Sequence, residues 1–258
     1  MRSPLPDSPP DPLTTDLRPA TSRRADVLAV IFALTFPTLA VWIYFVLLTP
    51  YSPALQKTAY TVGKVLQFGF PLFWFLAIQR CRLVWTKPSA KGLREGLAFG
   101  AAIFAAIMVL YFVWLKPIGV LDVAREPIRD RLFGYGLTSL PTYVLFGLFV
   151  SLIHSFMEEY YWRWFVFGQL KRFSPLWVAI VLSSFGFMLH HVVILSIYFG
   201  RRTLPSVAIS LAVAVGGADW AWIYHHTGSL YGPWLSHLLV DVAIFVVGYD
   251  LVGGHFAP

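Results

Sequence analysis

Six stretches of this chain run for fifteen to thirty residues without an Asp, Glu, Lys or Arg: Val27–Gln56, Val65–Gln79, Gly96–Leu115, Leu132–Met157, Phe173–Gly200 and Thr203–Ala218. A helix crosses the hydrocarbon of a bilayer with ~20 apolar residues. Inside that layer every backbone N–H and C=O must be satisfied within the segment, which favours helices for runs of this kind. With 57% hydrophobic and only 13% charged residues, the chain lies far from soluble domains, in which about a quarter of residues are charged. The expected fold is all-α: one polytopic transmembrane helix bundle of about seven spans (six to eight). Ten Trp and twelve Tyr suit the aromatic enrichment at membrane interfaces.

The net charge of +7 does not point to nucleic acid, because its distribution follows the spans. Arg80, Arg82, Lys87, Lys91 and Arg94 crowd one connection, and Arg23-Arg24 precede the first span. Such clustering is a topology signal and predicts a cytoplasmic amino terminus, in the plasma membrane if the source is prokaryotic. Residues 1–25, rich in Pro, Ser and Asp and without an apolar core, read as a disordered cytoplasmic tail ahead of a membrane-embedded domain over 26–258. The single Cys81 leaves no intrachain disulfide and no thiolate metal site.

Gly92, Gly96 and Gly100 recur at four-residue spacing, which lines one helix face and lets a neighbouring helix approach closely. Lys64 is expected to snorkel from the end of the second span. Residues 116–139, with mixed charges around Val123, Ile128 and Leu132, predict a short amphipathic helix on the membrane surface.

The costly residues are the informative ones. Glu158 and Glu159 interrupt an apolar run, and a carboxylate at mid-bilayer costs ~2.5–3.5 kcal/mol even on lenient insertion scales. Glu159 and Arg163 are an i,i+4 pair that meets on one helix face, whereas Glu158 points about 100° away and stays available. Glu158 lies sixteen residues before Ser174, and His191 sixteen after Pro175. A turn at Ser174-Pro175 therefore sets carboxylate and imidazole opposite each other, ~24 Å from that turn. His237 and Asp241 are a second i,i+4 pair, the imidazole as oxyanion donor and the carboxylate as its orienter. Base, donor and shelter from bulk water are what peptide hydrolysis requires. His190 either faces this site or packs between helices. His154, one turn before Glu158, is either a neighbour of the site or a buried core histidine. Asp219 pairs with His225 or His226, lines the cavity, or marks a divergent function.

These residues resemble the CAAX protease and bacteriocin-processing family of intramembrane endopeptidases, also called the Abi or type II CAAX prenyl protease-like family. Its EExxxR motif reads here as Glu158-Glu159 to Arg163, its FxxxH motif as Phe187 to His190-His191 with His191 in the matching place, and its HxxxN or HxxxD motif as His237 to Asp241. The resemblance spans about residues 140–250. It implies that Glu158 activates water with His191, that His237 and Asp241 form the oxyanion hole, and that Glu159 and Arg163, with His190 and Phe187 nearby, support the site or substrate. The implied partners are membrane lipid and a membrane-anchored or lipid-modified peptide, processed at a CAAX terminus or in a bacteriocin-related role, with oligomeric state left open. A glutamate mechanism without cofactor is favoured. If Zn²⁺ is used, Glu158, His191 and His237 are its ligands, since three protein donors and an open water position make a catalytic zinc site. Two other classes stay open: a proton-coupled small transporter, because intramembrane Glu, Asp and His also build proton relays, and a non-catalytic immunity or scaffold protein.

Overall fold

A computed structural model describes residues 21–83 and 86–256. Most of the tail expected over 1–25 lies outside the described residues; the first helix already starts at Arg23. Among the described residues, seven helices are long and apolar enough to cross a membrane. They are α1 (Arg23–Leu47), α2 (Pro53–Ile78), α3 (Ala90–Leu115), α5 (Leu140–Lys171), α6 (Leu176–Phe199), α7 (Leu204–Thr227) and α8 (Tyr231–His255). The eighth, α4 (Arg125–Gly134), is the short helix expected on the surface.

Local sequence sets the ends. Ser22, Ser52, Ser89 and Thr203 cap α1, α2, α3 and α7, each accepting a backbone N–H three residues on, which satisfies one orphan donor of the first turn. Gly228 closes α7 in the left-handed region, φ 64°, where a side chain would strain the backbone. The outer surface is apolar: Leu28, Val65, Phe73, Val113, Trp114, Leu145 and Val215 are exposed, as lipid contact requires. In α4, Leu132 is buried while Arg129 pairs with Glu126 and Asp130 on the open side.

Two packing features position the centre of the bundle. First, α3 lies along α8. A Cβ on Gly96 would strike the Gly232 backbone, and one on Gly100 would meet Ser236 and Leu239, so the stripe lets the backbones touch. Second, Tyr160–Phe167 of α5 winds in wide turns, Gly168 N–H reaching the Arg163 carbonyl five residues back. Such wide turns are frequent at functional sites. All seven residues from Tyr161 to Phe167 are buried, so this helix is enclosed on every side. Trp162, Phe165 and Phe167 pack there with Phe187 of α6 and Trp220 of α7.

Alternating directions bring the start of α1, the end of α5 and the start of α8 to one face. There Arg172 pairs with Asp26 at 3.2 Å. The α7–α8 turn is recessed on that face, and its Ser229 is buried. His237 lies six residues into α8, ~9 Å from its start, whereas Glu158 lies thirteen residues before the end of α5, up to ~20 Å.

Candidate active site

The three motifs converge although α5, α6 and α8 are separate elements. Glu158 is buried at the middle of α5, and three imidazoles surround its carboxylate. His190 Nε2 stands 3.7 Å from Oε1, His154 Nε2 3.8 Å from Oε1, and His237 Nε2 3.8 Å from Oε2. Each gap exceeds a direct hydrogen bond and is of a size that a shared water can bridge. Glu158, Glu159, Arg163, His190 and His237 are buried, while His154, His191 and Asp241 are partly exposed and rim the cluster.

Glu159 points the other way, as a 100° step requires. It pairs with Arg163 Nε at 3.1 Å, both fully enclosed, and its other oxygen accepts a 2.8 Å hydrogen bond from His237 Nδ1–H. Arg163 is held in turn: Nη2 donates to the Gly217 carbonyl at 3.4 Å, and its guanidinium lies 4.6 Å from the Phe187 ring and 4.9 Å from Trp220. Trp220 stacks on His237 with centroids 4.2 Å apart and planes 16° apart, and its Nε1–H donates to Ser236. The second glutamate, the arginine and two aromatic rings thus fix the plane and the Nδ1 proton of His237.

Two expectations change in detail. Of the adjacent pair on α6, the imidazole placed 3.7 Å from Glu158 is His190, stacked on Trp162 with neither buried ring nitrogen hydrogen-bonded. His191 sits beside it, centroids 4.2 Å apart, and its Nδ1 meets the Phe187 carbonyl at 2.9 Å. Equal counting from the hairpin turn gave the right depth, but adjacent residues differ by about 100° in direction, which counting along the chain does not resolve. The orienter of His237 is Glu159; Asp241 faces Nε2 instead, at 3.8 Å, and borders the same space as Glu158.

Of the set Glu158, His191 and His237, the structure places His237 Nε2 3.8 Å from Glu158 Oε2. Among the described residues no three His, Cys, Asp or Glu side chains are gathered to hold one ion. His191 and His237 engage Phe187 and Glu159 through Nδ1, which leaves each Nε2 open, as in metal-bound imidazoles.

Lys64 does not snorkel outward. Its Nζ turns in to His154 Nε2 at 3.3 Å and Gln67 Oε1 at 3.4 Å. Sequence reasoning missed it there, although a lone cation inside an apolar span is a signal in its own right. Trp220 gave no such signal. Asp219 lines a cavity with Lys91, Glu95 and His226, and His226 pairs with Glu95 at 2.5 Å.

Residues 140–243 match the family model for Rce1-like proteins, described as type II CAAX prenyl endopeptidases. No curated protein and no solved structure gives a significant match. The matched segment holds every residue of the three motifs, from Glu158 to Asp241. Through these residues, this multi-pass membrane chain is similar to the Rce1-like CAAX endopeptidases over residues 140–243.

Proposed function

We propose that the chain hydrolyses a peptide bond of a membrane-anchored or lipid-modified substrate, with Glu158 as the general base. The observation that carries this is a buried carboxylate with His190 and His237 facing it at 3.7 and 3.8 Å. A water held between them gives its proton to Glu158 as its oxygen adds to the scissile carbonyl carbon. The carbonyl becomes an oxyanion. An imidazolium His237 donates to it through Nε2 while Nδ1–H stays on Glu159, and a protonated Asp241 offers a second donor. When the tetrahedral intermediate collapses, the C–N bond breaks and the proton on Glu158 passes to the leaving amine. His190 and His191 hold the water. The basic face carrying Arg23, Arg24, Arg172 and the Arg80–Arg94 connection is cytoplasmic in this reading, by the excess of Lys and Arg there.

The test is cleavage of a panel of lipidated and transmembrane peptides by purified wild type and Glu158→Gln, each with and without a strong chelator. Wild type should cleave. The Glu158→Gln protein should lose about 10²–10⁴-fold in kcat, the usual contribution of a positioned base, and bind peptide undiminished, and the chelator should change nothing. Full activity in Glu158→Gln would sink the reading; chelator-sensitive cleavage would sink the metal-free form of it. Proton-coupled transport in liposomes, with no cleavage of any peptide, would favour the carrier instead.

A further inference from the structure

Lys64 lies outside every motif of the site, yet its side chain ends at the site's edge. It comes from α2, and the histidine it touches comes from α5. Its surroundings are built for an ammonium. Gln67 Oε1 accepts at 3.4 Å, His154 Nε2 lies at 3.3 Å, and the Phe68 and Tyr60 rings lie 5.2 and 5.9 Å from Nζ. An ammonium only donates, so His154 Nε2 accepts and its proton sits on Nδ1. Aromatic faces attract the same charge. Among the described residues Lys64 makes no ion pair. The next charged group beyond His154 is Glu158, 3.8 Å from that same Nε2.

Charge balance gives the arrangement a purpose. Glu159 has Arg163 as its partner at 3.1 Å. Among the described residues Glu158 has no Lys or Arg side chain in contact, only imidazoles. In the proposed reaction the charge of His237 is shared with Glu159 and committed to the oxyanion, whereas a general base must be ionised to act, and a further cation nearby favours that form. We infer that Lys64 is the counter-charge of Glu158, acting through His154, and that Lys64 and His154 are positioning residues of the reaction. Lys64 fixes the tautomer of His154, and its charge reaches the carboxylate through space across the shared Nε2.

This rests on the hydrolytic reading, but its core is a charge pairing that can be measured without turnover. Thermal unfolding in detergent is compared for wild type, Lys64→Met, Glu158→Gln and the double variant, and kcat and KM are determined for wild type, Lys64→Met, Lys64→Arg and His154→Ala. Lys64→Met should lower the melting temperature by about 5 °C in the wild-type background, where it strands a buried carboxylate, and by less than half as much in the Glu158→Gln background. Its kcat should fall by about 10-fold or more with KM nearly unchanged, Lys64→Arg should recover most of it, and His154→Ala should resemble Lys64→Met. Additive melting shifts overturn the proposal. So does a raised KM at constant kcat, which would make Lys64 an anchor for a substrate carboxylate. Coupled melting shifts in a protein that cleaves no peptide would uphold the charge pairing and tell against proteolysis.

Discussion

His237 is the most constrained side chain of the site, and its constraints come from residues that do no chemistry. Glu159 takes its Nδ1 proton at 2.8 Å, and Trp220 covers its face. Glu159→Gln keeps the shape but offers an amide where the imidazole wants an acceptor, freeing the ring to change tautomer. That variant should lose about 10²-fold or more in kcat, the loss arising from a misdirected donor, with KM little changed; steady-state kinetics on a cleaved peptide decide it. Arg163→Met is a different experiment, since it strands Glu159 among aromatic rings. Removing one partner of a buried pair costs about 3–5 kcal/mol, so Arg163→Met should unfold at markedly lower temperature in detergent, and Lys at this position should not restore it, because a point charge cannot reproduce a stacked fork. Glu158, Glu159 and Arg163 were legible from spacing alone, because i,i+4 and a 100° step are properties of any helix. The choice of His190 over His191, and the hold of Glu159 on His237, depend on how α5, α6 and α8 face one another, which no single helix encodes.

At the level of elements, α8 brings His237, the proposed donor, to Glu158, the proposed base, and α3 packs along α8. The glycine stripe was readable as a close-packing face, but its partner was not, since nothing in residues 92–100 names Gly232 or Ser236. Gly96→Leu puts a branched side chain where a Cβ already meets backbone. Overpacking of this kind costs about 1–3 kcal/mol, and the cheapest relief is for α8 to move outward, carrying His237 and Asp241 from Glu158. Gly96→Leu should therefore lose activity out of proportion to its stability; a melting curve beside a peptide-cleavage assay distinguishes this from simple unfolding. The wide turns over Tyr160–Phe167 left no mark in the sequence. The same winding recurs at exposed stretches such as Leu110–Leu115, so enclosure does not account for it.

The whole molecule is a bundle whose two faces differ in charge. One gathers Arg23, Arg24, Arg80, Arg82, Lys87, Lys91, Arg94, Lys171 and Arg172; the other mixes Lys57, Lys116, Arg125, Arg129, Arg131, Arg201 and Arg202 with Asp122, Glu126, Asp130 and Asp250. In a Cys81→Ser background, a single cysteine introduced at Arg202 should react with a membrane-impermeant thiol reagent on intact cells, whereas one at Arg82 should react only after the membrane is opened. The opposite pattern would reverse the orientation proposed for the basic face. Composition and run length were enough for seven spans, because the hydrocarbon thickness sets one length for all of them. The depth of His237 was not legible, since the place where α8 begins depends on how far the α7–α8 turn sinks into the bundle.

In the proposed reaction, the depth of that turn would set a length. From its level to His237 is ~9 Å along α8, and an extended chain covers such a distance with about three residues at ~3.3 Å each. A free chain end resting at the turn, with the strand running inward, would set a bond only a few residues from its terminus against Glu158. The depth of one loop, rather than the chemistry of any side chain, would then decide how long a fragment is trimmed.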